Sequence, residues 1–89
     1  MRTPALPKPH QGECVDNEPG AVIYYAGHQP YGVYHFASGD IRLTGRRSSR
    51  PAVIGEMLGL DACLAGKPHA ETARCSARTR VYFISRREF

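Results

Sequence analysis

Short apolar runs, separated by clusters of Gly, Pro, Asn, Asp and Ser that recur about every 8 to 12 positions, set the pattern of this chain. Ala21-Val22-Ile23-Tyr24-Tyr25 is β-branched and aromatic, follows the turn cluster Asp16-Asn17-Glu18-Pro19-Gly20, and reads as a strand closed by Gly27. A second turn over 27–32 leads into a strand over 33–37. Ser38-Gly39 then marks a two-residue hairpin into 40–44, where Ile41 and Leu43 share one face. Residues 46–50 are basic and polar with no apolar period, which predicts an exposed loop. A short apolar strand is expected over 51–54, and one or two helical turns over 58–65, broken by Gly66-Lys67-Pro68. Strands over 72–75 and 81–84, with Ser76-Ala77-Arg78-Thr79 turning between them, complete a mainly β, all-β roll or barrel.

The two ends read differently. Pro4, Pro7 and Pro9 stand in a segment with almost no apolar period, so residues 1–12 are expected to form an extended or disordered arm, with one folded domain over 13–89. Ser85-Arg86-Arg87-Glu88 has capping-box spacing and predicts a helix start. The chain stops one turn later, at Phe89, so this end reads as a truncated start.

With 89 residues there is room for one domain at most, and a chain of this size buries only about 60 to 65% of its unfolded surface. No apolar run approaches the roughly 20 residues needed to span a bilayer, and the N-terminus lacks the apolar stretch of a signal peptide. A cytoplasmic protein without membrane contact is expected.

The net charge is +4, and ten of the twelve basic residues are Arg, whose planar fork suits phosphate or carboxylate. Two arginine-rich stretches, with Arg42, Arg46, Arg47 and Arg50 in one and Arg74, Arg78 and Arg80 in the other, lack a base-reading motif, so no specific nucleic-acid contact is expected. Cys14, Cys63 and Cys75 form neither a C-x-x-C pair nor an even set, which points to reduced thiols of structural role. His28, His35, His69, Cys63, Cys75 and Glu71 show no metal-ligand spacing, and no Gly-x-Ser-x-Gly elbow occurs. No catalytic residue, metal or cofactor is therefore assigned. The competing reading is a metal-dependent enzyme on a cupin-like β-roll, which would need clustered His and Glu inside the roll.

Three stretches carry a resemblance in their order: Gly32-Val33-Tyr34-His35-Phe36-Ala37-Ser38-Gly39-Asp40-Ile41-Arg42-Leu43, then Gly55-Glu56-Met57-Leu58-Gly59-Leu60-Asp61, then Gly66-Lys67-Pro68-His69-Ala70-Glu71-Thr72-Ala73. Together they resemble the cyclic nucleotide-binding domain superfamily over about residues 13 to 89. The phrase Gly-Glu-x-Leu-Gly-Leu-Asp-Ala is similar to the sensor domains of catabolite-activator and fumarate-nitrate-reduction type regulators. The resemblance implies a double-stranded, jelly-roll-like β-roll with short helices and a ligand inside the roll. It also implies a cassette in which a Glu takes the ribose hydroxyl and an Arg the cyclic phosphate.

A gapless match from Gly59 to Ala73 puts Leu60 at the Glu position, His69 at the Arg position and Ala70 where a phosphate-binding Ser or Thr often sits. The other register, starting at Gly55-Glu56-Met57, keeps the Glu but inserts four residues and still supplies no Arg. The expected ligand-binding set from the gapless register is Gly59, Leu60, Asp61, Ala62, His69, Ala70, Glu71 and Thr72. All three cassette contacts are changed, so the resemblance implies a regulatory effector module that does not bind cyclic AMP or GMP tightly. His69 is expected to be an ordinary surface turn histidine. The eleven residues between Leu43 and Gly55 leave a shortened region whose edge predicts a homo-oligomer or a regulatory protein partner alongside a small-molecule effector. The long helix and helix-turn-helix reader that follow in such regulators are not in this sequence.

Overall fold

Alternation of buried and exposed positions builds the strands. In the computed structural model, which describes residues 12–88, Ile41 and Leu43 are buried while Arg42 and Thr44 are exposed, as a half-buried strand requires. The strands are β1 (Glu13–Asn17), β2 (Val22–Tyr24), β3 (Gly32–Ser38), β4 (Ile41–Thr44), β5 (Ser49–Pro51), β6 (Met57–Leu58), β7 (Thr72–Cys75) and β8 (Thr79–Ser85). Helix α1 (Leu60–Ala65) lies between β6 and β7. The strands pair antiparallel in two four-stranded sheets, β1-β8-β3-β6 and β2-β7-β4-β5. The arm expected over 1–12 lies outside the described residues apart from Gly12.

The main core fills the space between the sheets with Phe36, Ile41, Leu43, Leu58, Ala73, Cys75 and Val81. Each large side chain removed from water in such a core contributes about 1.5–3 kcal/mol. A second cluster, Val33, Cys63 and Ile84 with Met57 and Leu60 against it, fastens α1 to β3 and β8. Strand β3 is covered on both faces for this reason, and Val33, His35 and Phe36 are all buried.

Several sequence expectations are corrected. Asp16 and Asn17 end a strand rather than begin the turn, because β1 runs beside β8 in register from Glu13↔Phe83 to Asn17↔Thr79. The turn begins at Glu18, whose carbonyl accepts from Ala21 N–H at 3.1 Å. Ser38-Gly39 is not a hairpin. Strand β3 belongs to one sheet and β4 to the other, and the chain turns a corner between them. Gly39 takes φ +110°, where a Cβ would lie 2.5 Å from Thr79 Oγ1. The buried Thr79 hydroxyl accepts from Asp40 N–H at 3.2 Å and donates to the Ala77 carbonyl at 2.9 Å. Residues 76–78 likewise carry the chain from one sheet to the other rather than closing a hairpin.

The expected strand over 51–54 is displaced toward the N-terminus. Gly45 N–H donates to Ser48 O at 2.8 Å and closes a tight turn, so Ser49 and Arg50 enter β5 opposite Thr44 and Leu43. Val53 and Ile54 are left exposed in the loop that follows. Being at a sheet edge, β5 reads Ser-Arg-Pro, a short strand blunted by a charge and by a residue without an N–H. Helix α1 starts two residues later than expected because Met57 and Leu58 pair with His35 and Tyr34. It ends as expected at Gly66, which is left-handed at φ 66°, while Lys67 N–H donates to Ala62 O at 3.0 Å. The capping residue Ser85 accepts from Arg87 N–H at 3.3 Å and starts a single 3-10 turn, Arg86–Glu88.

Candidate functional site

A cavity of about 390 Å³ opens between the loop before β7, helix α1 and the inner faces of β2, β4 and β5. Of the residues expected from sequence, Gly59, Leu60, Asp61, Ala62, His69, Ala70 and Glu71 line it. Thr72 does not. It opens β7, and its Oγ1 accepts from Ala26 N–H at 3.0 Å. Sequence reasoning missed Tyr24 and Arg50, together with the apolar Leu43 and Leu58, while Glu56 and Met57, which also line the cavity, belong to the other register.

His69 is not a surface histidine. It is 5% exposed, and its ring stacks on Tyr24 with centroids 3.8 Å apart and planes inclined by 17°. Its backbone is fastened to the β2–β3 loop by two bonds, His69 N–H to His28 O at 2.9 Å and Gly27 N–H to His69 O at 2.8 Å. On the side of α1, Gly59 is left-handed at φ 80°, and a Cβ there would lie 2.8 Å from His69 Cε1. Only a glycine lets the cassette loop and the imidazole approach this closely. Burial lowers the His69 pKa from its ordinary value, with His28 adding to the effect, so the ring is neutral at physiological pH.

The charged groups of the cavity are unevenly matched. Arg50 donates to both carboxylate oxygens of Glu56, Nη1 to Oε1 at 3.1 Å and Nη2 to Oε2 at 2.7 Å. Val53 N–H adds a third bond to Oε1 at 3.1 Å. The hydrogen bonds from Arg50 hold the Glu56 carboxyl below its usual range. Glu71 and Asp61 line the same cavity and form no ion pair among the described residues, although the Glu71 charge acts on Arg50 from a distance. Burial and then the Glu71 and Glu56 charges push the Tyr24 hydroxyl well above its ordinary pKa. With His69 neutral, the lining therefore carries three carboxylates against one guanidinium, and that guanidinium is already engaged.

The missed residues share a cause. Arg50 faces inward because it stands opposite the buried Leu43, and Tyr24 because it stands opposite the buried Ala73. Both facts depend on strand register. The Gly45–Ser48 turn was the one sequence signal that would have set the register of β5. Both registers weighed from sequence bring their residues to the cavity, since Leu60 and Glu56 line it alike.

The profile of the cyclic nucleotide-binding domain matches residues 15–89. The chain belongs to the cyclic nucleotide-binding domain family. Among solved structures it is similar to a cyclic nucleotide-binding-like protein from Brucella abortus, at 27% identity and a TM-score of 0.74, covering 86% of this chain and 71% of that one. It is also similar to the second cyclic nucleotide-binding domain of a protein kinase A regulatory subunit holding Sp-2Cl-cAMPS, at 19% identity and TM-score 0.79, covering 86% and 53%. A third is the regulatory subunit of a cAMP-independent protein kinase A from Trypanosoma brucei, at 18% identity and TM-score 0.80, covering 86% and 29%. The chain thus spans 71%, 53% and 29% of the length of these three structures. Comparison with curated protein sequences gives no match.

No group of three His, Cys, Asp or Glu side chains that could hold a metal occurs among the described residues. Cys63 and Cys75 are buried and free, and burial pushes both thiols up, while Cys14 is free and exposed. No helix among the described residues is long and apolar enough to cross a membrane.

Proposed function

We propose that this cyclic nucleotide-binding domain is a regulatory effector module, without catalytic activity, whose cavity does not hold cyclic AMP or cyclic GMP tightly. The reading rests on His69. In the gapless match it stands where the family's phosphate-binding arginine belongs, and it is a neutral imidazole packed between Tyr24 and Gly59. A cyclic phosphate would enter a cavity whose free charges are Glu71 and Asp61, and whose arginine is claimed by Glu56. Desolvating an anion without a charge-assisted partner is unfavourable by several kcal/mol. The fold is compatible with either behaviour, since the similar structures include one holding a cyclic AMP analogue and one described as cAMP-independent.

The ligand-facing set under this reading is Gly59, Leu60, Asp61, Ala62, His69, Ala70 and Glu71, with Thr72 supporting the loop from behind. The similarity of the Gly55–Ala62 stretch to regulator sensor domains supports a place in a cytoplasmic transcriptional regulator, acting through a second copy or another protein. A thermal-shift titration with cyclic AMP and cyclic GMP tests the central claim. A ligand at about 100 times its dissociation constant stabilises a protein by roughly 2.7 kcal/mol. No shift at millimolar nucleotide is expected, and a saturable shift at micromolar nucleotide would overturn the reading.

A further inference from the structure

The outer face of the sheet β2-β7-β4-β5 is built from two rows of side chains. In one row Val22, Arg74, Arg42 and Pro51 stand opposite one another across four strands, and in the next Thr72, Thr44 and Ser49 do so. Arg42 and Arg74 are direct cross-strand partners, and both are exposed. Like charges directly opposite on one face of an antiparallel pair destabilise it.

Neither arginine of this pair forms an ion pair among the described residues. The four strands contain three arginines and no acidic residue. The ion pairs among the described residues are Arg50–Glu56, on the inner side, and Arg80–Asp16, in the other sheet. Asp40, just before β4 and two positions from Arg42 on the same face, is the carboxylate next in register; it accepts from Ser76 Oγ at 2.8 Å and pairs with neither arginine. Among the described residues Arg74 reaches only the Gly20 carbonyl, at 3.5 Å. Residues 1–11 hold no Asp or Glu, so that segment brings no carboxylate to the face. Arg46 and Arg47, in the β4–β5 turn beyond the Thr44 row, are also exposed.

We propose that this face docks an acidic polypeptide segment, with carboxylates at neighbouring positions pairing with Arg42 and Arg74. Arginine forks bind carboxylates in bidentate geometry, and the hydroxyls of Thr44, Thr72 and Ser49 add donors for the same oxygens. Polypeptide is favoured over nucleic acid by the composition of the rows. They present no aromatic ring on which a base could stack and no protruding helix or ribbon to enter a groove. Instead Val22 and Pro51 flank the arginine pair with apolar surface, the mixture found in protein interfaces.

The full chain, isotopically labelled, would be titrated with a deca-glutamate peptide at low salt and followed by amide chemical shifts. The expected result is saturable binding with shifts centred on β4 and β7, and an affinity about tenfold weaker in each of Arg42→Gln and Arg74→Gln. Without peptide, either single substitution raises the melting temperature by about 2–4 °C, because it relieves the repulsion, and the double substitution adds little more. The stability gain is expected to shrink in high salt. Absence of peptide binding, or shifts centred elsewhere, would overturn the proposal. So would a thymidylate oligonucleotide of equal charge that binds this face as tightly, which would assign it to nucleic acid. Melting temperatures that fall additively would remove its physical basis.

Discussion

The imidazole of His69 lies flat on the phenol ring of Tyr24, 3.8 Å between centroids, so that a loop residue before β7 and a residue of β2 close one wall of the cavity. The contact joins two aromatic bodies that are each largely removed from water. Replacing His69 by Ala is expected to cost about 1–3 kcal/mol in denaturant unfolding. A double-mutant cycle with Tyr24→Phe and Tyr24→Ala should assign about 0.5–1.5 kcal/mol of coupling to the rings, with Phe retaining most of it.

Stability depends on the protonation of His69 in a definite direction. Its folded pKa lies below the unfolded value, so between the two the unfolded chain binds more protons. The stabilisation from the neutral ring is fully present above about pH 6.5 and is lost as pH falls through the folded pKa. Unfolding free energies measured from pH 7.5 down to pH 5 should decline (about neutral to mildly acid, the ordinary histidine range), and the decline should be smaller in His69→Gln.

Gly59 allows the cassette loop to meet that histidine. It sits at φ 80°, and an added methyl would lie 2.8 Å from His69 Cε1. Gly59→Ala combines left-handed strain with a steric clash and is expected to destabilise by about 2 kcal/mol or more. Gly55→Ala serves as the comparison. It shares the positive φ but meets nothing within 4 Å, so the smaller cost of strain alone, about 1 kcal/mol, is expected there.

The Arg50–Glu56 pair should matter little for stability despite its bidentate geometry. Its side chains retain 48% and 27% of their exposure, so solvent and salt screen the attraction, and Glu56→Gln should cost no more than about 1 kcal/mol. The sign with pH is opposite to that of a raised group. Glu56 has a depressed pKa, so its contribution is present above the unfolded value and fades as pH falls through the folded one. A loss above 3 kcal/mol in urea unfolding, on the order of a buried broken pair, would show that the bridge is part of the core.

At the corner between the sheets, Thr79 holds the turn that the sequence disguised as a hairpin. Its buried hydroxyl takes the Asp40 N–H at 3.2 Å. Thr79→Val preserves shape but leaves that donor without a protein partner, and about 1–3 kcal/mol of stability should be lost. Thr79→Ser should retain most of it, as measured by thermal unfolding.

Local sequence determined the strand character of most elements, because alternation of side chains such as Ile41 and Leu43 against Arg42 and Thr44 is written in the chain itself. It also determined the end of α1 at Gly66 and the cap at Ser85, since both depend on residues within one turn. The cassette loop was legible from the order of its motifs, and most of its residues do line the cavity. Which sheet each strand joined was not legible. Ser38-Gly39 has hairpin composition, and only packing of Gly39 against Thr79 and the pairing of β3 with β8 turn it into a corner. The burial of His69, the inward turn of Arg50 and the meeting of Arg42 with Arg74 were likewise decided by tertiary structure. Each arises between segments distant in the chain, where register and stacking, not local propensity, fix what a side chain meets.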